Sequence, residues 1–194
     1  MGMAMVKCLT DMTFAGFLLK KVMGWKGMTP PAPSEKCIIL GVPHTSMWDF
    51  VVSYLYYKDL GHTAHIMIKK QMFWGPLGWL LRKMGCIPVD RSNGASTIRS
   101  VIEQARECDG PFHLCICPEG TRKPVARWKM GYHKIAKELG CPVYMGYFDW
   151  GKKQIGIGPE FPLTDDARAD TDRLQAEYEK MGIQGKHRDN YITH

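Results

Sequence analysis

The sequence predicts an α/β fold: a single layered domain with a mostly parallel or mixed central sheet flanked by helices, preceded by an N-terminal apolar helix. Three observations lead there. Short apolar runs of strand length alternate with segments of helical length. Several of the helical segments close on a glycine, the usual stop signal. The chain has 194 residues, enough for one sizeable core and little beyond it.

Residues 5–25 come first. They are heavily apolar and of helical length, with Phe14, Phe17, Leu18 and Val22 at the spacing of one helix face and Lys7, Asp11, Lys20 and Lys21 scattered around it. Such a helix either packs on the domain or lies in a membrane interface with its lysines at the headgroups. "TPPAPSEK", residues 29–36, is Pro-rich and reads as a stiff linker. The expected organisation is therefore an apolar or amphipathic helix over 1–28, a linker over 29–36 and the main domain over 37–194.

In that domain "CIILG" (37–41) reads as a buried strand, and "MWDFVVSYLYYKDLG" (47–61) as a helix with Ser46 as its possible N-cap. "AHIMI" (64–68) is a second strand and "WGPLGWLLRKMG" (74–85) a helical segment interrupted by Gly and Pro. "CIPVD" (86–90) is a third strand, followed by a polar helix over about 95–108. "FHLCIC" (112–117) is a fourth, and "YHKIAKELG" (132–140) another helix closing on glycine. "VYMGYFDWGKKQIGIG" reads as two strands around a turn near residues 150–152, and residues 164–180 as a charged closing helix.

Composition excludes several classes. Hydrophobic residues at 45% and charged residues at 23% argue against disorder. The seven cysteines form no CxxC pair and no zinc-like spacing, so neither a disulfide framework nor a structural metal site is expected, and a reducing compartment is. "MTFAGFLL" (12–19) falls well short of the ~18 apolar residues a transmembrane span needs. The net charge of +7, from 26 Lys and Arg against 19 Asp and Glu, favours anionic partners. Nucleic acid is not expected among them, for no basic stripe is interleaved with aromatics.

Three polar clusters follow predicted strands, and ligands of α/β sheets collect at the carboxyl ends of strands. They are "PHTSMWD" after the first, Asp90–Arg91 after the third and "PEGTR" (118–122) after the fourth. His44 and Asp49 are five positions apart, which on one helix would point them about 140° apart at ~100° per residue. With His44 in the loop and Asp49 in the first turns of the helix, the carboxylate can instead fold back onto the imidazole. An Asp on one ring nitrogen fixes the tautomer and steadies the imidazolium, leaving the other nitrogen as a general base. Taken alone, the pair fits a capping Asp beside an incidental His better than it fits a catalytic pair. In the third cluster Gly120 permits close backbone approach. Arg122 supplies a planar fork for phosphate or carboxylate oxygens, Thr121 a hydroxyl and Glu119 an acceptor. Arg91 and Lys129 add further cations.

The ordered set, His44-x-x-x-x-Asp49, then "GCIPVDR" (85–91), then "PEGTR" (118–122), resembles the PlsC-like glycerolipid acyltransferases, the lysophosphatidic acid acyltransferase family. "IKKQMFWGPLGWLLRKMGCIPVDR" and "RWKMGYHKIAKELGCPV", with Lys129, Gly131 and Pro142, resemble the family's connecting segments, and the likeness covers residues 36–162. Departures are Pro43 where the family often has Asn, Cys117 for an aromatic, Lys123 for a small hydroxyl residue, and a fourth motif reduced to residues 141–143. The resemblance implies transfer of a fatty acyl group from acyl-CoA or acyl carrier protein to a hydroxyl of a lysophospholipid such as 1-acylglycerol-3-phosphate. On it His44 is the base and Asp49 its orienter, while Arg91, Glu119, Gly120, Thr121, Arg122 and Lys129 bind the acceptor. The thioester oxyanion needs donors near this edge, backbone N–H groups around Gly120 being one source, and the sequence does not assign them; no metal or organic cofactor is implied. The expected setting is the cytoplasm, peripheral on the cytoplasmic membrane. The alternatives are another acceptor, such as an amino-acid lipid, or a non-catalytic anionic-lipid-binding domain.

Overall fold

The computed structural model describes residues 13–90 and 93–187. In chain order the elements are α1 (Phe14–Phe17), running on as a π-helical turn (Leu18–Val22), β1 (Lys26–Gly27), β2 (Lys36–Val42), α2 (Trp48–Asp59) and β3 (Ala64–Lys69). A 3-10 turn (Lys70–Met72), α3 (Gly75–Lys83), β4 (Ile87–Val89), α4 (Gly94–Glu107) and β5 (Phe112–Ile116) follow. The chain closes with α5 (Gly131–Leu139), β6 (Val143–Asp149), β7 (Gln154–Glu160) and α6 (Ala167–Met181).

Among the described residues the strands form one mixed seven-stranded sheet in the order β1-β7-β6-β2-β5-β3-β4. All pairings are parallel except β6 with β7, the hairpin over residues 143–160. The layered α/β fold read from the sequence is the one observed.

Alternation along β2 builds two cores, because successive strand residues face opposite sides. Ile38, Leu40 and Val42 join Val101 and Ala105 of α4, Ile135 of α5, and Leu174 and Tyr178 of α6 on one face. Cys37 and Ile39 join Val52, Tyr56 and Tyr57 of α2, with Leu19 and Trp25, on the other. Burying each such aliphatic side chain contributes about 1.5–3 kcal/mol. Burial pushes the Cys37 thiol up to about 12 and the Cys86 thiol up to about 11, so both stay protonated and pack as small hydrophobes.

The first segment is described only in part. Of residues 5–25, the described helical part is residues 14–22, and Phe14, Phe17 and Val22 are exposed while Gly16 and Leu19 are buried. The apolar spacing of Phe14 and Phe17 holds, but the face that packs is that of Gly16 and Leu19; beyond Phe17 the helix widens into a π turn, in which the Met23 N–H bonds the Leu18 carbonyl at 2.9 Å. The Pro-rich tract is tied down: Thr29 Oγ1 accepts the Ile157 N–H at 2.7 Å, and the Ser34 and Tyr144 hydroxyls are 3.0 Å apart.

Candidate active site

Because β2, β3, β4, β5 and β6 run in parallel, their carboxyl ends share one edge of the sheet. β2 delivers residues 43–47 to that edge before α2 begins. Asp49, in the first turn of α2 and buried, reaches back: its Oδ2 accepts the Thr45 N–H at 2.8 Å and the Ser46 N–H at 2.7 Å. Ser46 was the expected N-cap, and its hydroxyl does accept the Trp48 N–H at 3.2 Å, but Met47 occupies the cap position.

The fold-back carries His44 onto the same carboxylate. Its Nδ1 lies 3.3 Å from Asp49 Oδ2, in ion-pair range, though misaligned for a hydrogen bond and without another partner among the described residues. The His44 side chain is 23% exposed while Nδ1 is buried, so the accessible part of the ring is the opposite edge, which carries Nε2. Asp49 thus holds the loop that precedes its helix and faces the imidazole, while the capping role open to it from the sequence is not the one it takes.

Glu119 closes the cluster from β5. Its Oε1 accepts the His44 backbone N–H at 2.8 Å, while Oε2 is buried without a hydrogen-bond partner among the described residues. Burial raises its pKa to about 7, opposed by the hydrogen bonds it accepts and assisted by the nearby Asp49 charge. The sequence placed Glu119 with the acceptor; the structure places it under the His44 backbone.

The rest of the third cluster divides. Gly120 has φ +66°, and a Cβ there would meet Lys129 Cδ at 2.7 Å, so the lysine stem lies across the glycine and brings its ammonium to this loop. The Gly120 N–H is taken by the Cys117 carbonyl at 3.0 Å, which leaves it out of the N–H groups able to serve an oxyanion. Thr121 Oγ1 accepts the Lys123 N–H at 3.2 Å within its own turn. Arg122 is exposed. Arg91 lies outside the described residues. Among those described, no group of three or more His, Cys, Asp or Glu side chains is placed to hold a metal ion.

One residue of this edge escaped sequence reasoning. Trp150, just beyond β6, donates its indole N–H to Asp49 Oδ1 at 2.8 Å and packs edge-on against Trp25 with centroids 4.9 Å apart. Its backbone N–H bonds the Gln184 carbonyl at 2.8 Å, so residues 184–187 return to the same edge after α6. There Lys186 Nζ sits 4.9 Å from the ring centroids of both Trp48 and Trp150. The signal available was positional: Trp150 follows a strand whose carboxyl end joins the edge that bears His44.

With this geometry in hand, comparison with known proteins is decisive for the family. The model of the family described as Acyltransferase matches residues 28–145. The chain belongs to the acyltransferase family. A 1-acyl-sn-glycerol-3-phosphate acyltransferase of Pseudomonas aeruginosa is 30% identical over 146 residues, 66% of this chain and 54% of that protein. The chain thus spans about half the length of this curated relative. The crystal structure of the 1-acyl-sn-glycerophosphate acyltransferase PlsC from Thermotoga maritima shares the fold, with a TM-score of 0.57 over 87% of this chain and 80% of that one, at 16% identity. Within the acyltransferase family match fall His44, Asp49, Glu119 and Lys129, the cluster assembled above.

Proposed function

We propose that the protein is an O-acyltransferase moving a fatty acyl group from a thioester, acyl-CoA or acyl carrier protein, to a hydroxyl of a lysophospholipid such as 1-acylglycerol-3-phosphate. The observation that carries the reading is His44: one ring edge faces a buried carboxylate, its backbone is pinned by Glu119, and the opposite edge is open. His44 Nε2 takes the acceptor hydroxyl proton as the oxygen attacks the thioester carbonyl. The tetrahedral oxyanion then collapses, the C–S bond breaks, and the leaving thiolate takes the proton from the imidazolium. Asp49, 3.3 Å from Nδ1, stabilises that imidazolium by its charge and favours the tautomer with the proton on Nδ1. Arg122, Lys129 and Arg91 supply cations for the acceptor phosphate, with Arg the better geometric match. The acceptor is met at a membrane surface, with the enzyme peripheral; among the described residues no helix is long and apolar enough to cross a bilayer.

The test is a donor-by-acceptor screen read by mass spectrometry. The expected product is the diacylated phospholipid from a long-chain acyl thioester and 1-acylglycerol-3-phosphate, with free thiol released in equal amount. Absence of acylated product across all lysophospholipid acceptors would overturn the reading.

A further inference from the structure

From Leu60 to Val89 the chain holds no Asp or Glu, while it holds Lys69, Lys70, Arg82 and Lys83. All four cations are exposed. The same segment carries a large share of the exposed apolar surface. Trp74 is 70% exposed and Trp79 58%, with Met72, Leu77 and Leu80 exposed beside them. Helix α3 explains this. It is apolar nearly all round but buries only Gly78 and Leu81, so Trp79 and Leu80 are left in water. An apolar helix face with no packing partner among the described residues marks an interaction surface.

We propose that α3 and the turn before it form the face by which the protein docks on an anionic lipid bilayer. Charge and aromatics favour this occupant. Lys83 Nζ lies 4.1 Å from the Trp79 ring centroid and Arg82 Cζ 5.4 Å from that of Phe73, which interleaves cations with indole and phenyl rings as headgroup-level anchoring requires. A second copy of the chain is disfavoured, since a two-fold contact through this face sets its lysines against their own equivalents. Position agrees as well. Lys69 pairs in register with Val89 at the carboxyl ends of β3 and β4, so the turn leading to Trp74 starts at the edge that bears His44. The proposal builds on the lipid-acceptor reading and locates the surface that reading needs.

The test is flotation of the full chain with phosphatidylcholine vesicles, with and without phosphatidylglycerol, for the wild type, Trp74→Ser/Trp79→Ser and Lys70→Glu/Lys83→Glu. The wild type is expected to float with anionic vesicles and to release in high salt. Each double variant is expected to partition at least roughly tenfold less, since each basic residue near such a surface contributes several-fold. The charge variant alters only exposed side chains and decides the matter if the tryptophan variant fails to fold. Wild-type partitioning in both variants would overturn the proposal. So would a wild type that ignores vesicles, including one that instead forms concentration-dependent oligomers or captures purified acyl carrier protein through this face. Turnover on a monodisperse short-chain acceptor separates the two claims. Vesicle binding by a protein inactive on every acceptor upholds the docking face and removes the acyltransferase reading. Variants that lose vesicles but keep that turnover uphold both.

Discussion

Two His–Asp pairs stand among the described residues, and their difference shows what makes one of them a candidate catalyst. His133 Nε2 lies 3.1 Å from Asp170 Oδ2, and its side chain is 7% exposed. Asp170 also accepts the Thr164 N–H at 2.6 Å, the Thr164 hydroxyl at 3.0 Å and the Arg173 guanidinium at 2.8 Å. Both Asp170 oxygens are bonded inside the fold, joining α5 to the start of α6. His44 has the looser contact with its carboxylate and the open opposite edge. Asp49 is as buried as Asp170, but its partners are the loop and the indole that present the histidine. A sealed imidazole holds helices together; an open one can exchange a proton with a substrate.

The same substitution at both carboxylates should separate the two roles most strongly. Asp49→Asn is expected to lower kcat by roughly 10²–10⁴-fold, the usual contribution of an oriented general base, with the protein still folded by circular dichroism. Asp170→Asn is expected to leave kcat unchanged at a temperature where it is folded, while costing about 3–5 kcal/mol in urea unfolding, as for other broken buried ion pairs. Equal kinetic losses in the two would erase the distinction.

Glu119 sharpens the comparison through pH. Its carboxyl is raised from 4.5 to about 7, so the folded protein binds this proton more tightly than the unfolded chain. The stability it confers is fully present below the unfolded value and is lost as pH rises through about 7. Relative to Glu119→Gln, the wild type should therefore lose up to about 3 kcal/mol between about pH 4 and pH 8 in denaturant titrations. Parallel curves would mean that the buried carboxyl carries no such penalty.

Trp150→Phe keeps the ring against Trp25 and removes only the N–H given to Asp49. A fall in kcat of roughly tenfold with KM little changed is expected, the scale of one hydrogen bond to a charged group. A rise in KM alone would make the contact merely structural. The smallest effect belongs to Arg122→Ala, a several-fold rise in KM for a phosphorylated acceptor with kcat nearly kept. Isothermal titration with the acceptor checks it independently, and unchanged affinity would remove Arg122 from the phosphate site.

The alternation of strands and helices could be read from the chain because apolar runs and glycine stops are local signals. The edge cluster was also accessible, since His44, Asp49 and Glu119 each follow or close a predicted strand. What escaped was set by long-range packing. Trp150 meets Asp49 across 101 positions, and Tyr178 of α6 reaches the Gly146 carbonyl of the sheet at 2.9 Å, which brings residues 184–187 back to the edge. The oxyanion donors were not assignable from the sequence, because which loop N–H groups are already used, such as that of Gly120 by the Cys117 carbonyl, depends on the turn the loop adopts. The apolar spacing of Phe14 and Phe17 was legible, but which face of the segment packs, that of Gly16 and Leu19, is set by its contacts with α2 and the sheet.

The most direct test of the central claim is the single-turnover acyl-transfer rate of His44→Ala, with thermal unfolding measured on the same sample. The account predicts transfer at least roughly 10³-fold slower at an unchanged melting temperature. Transfer at the wild-type rate by a folded His44→Ala would contradict it.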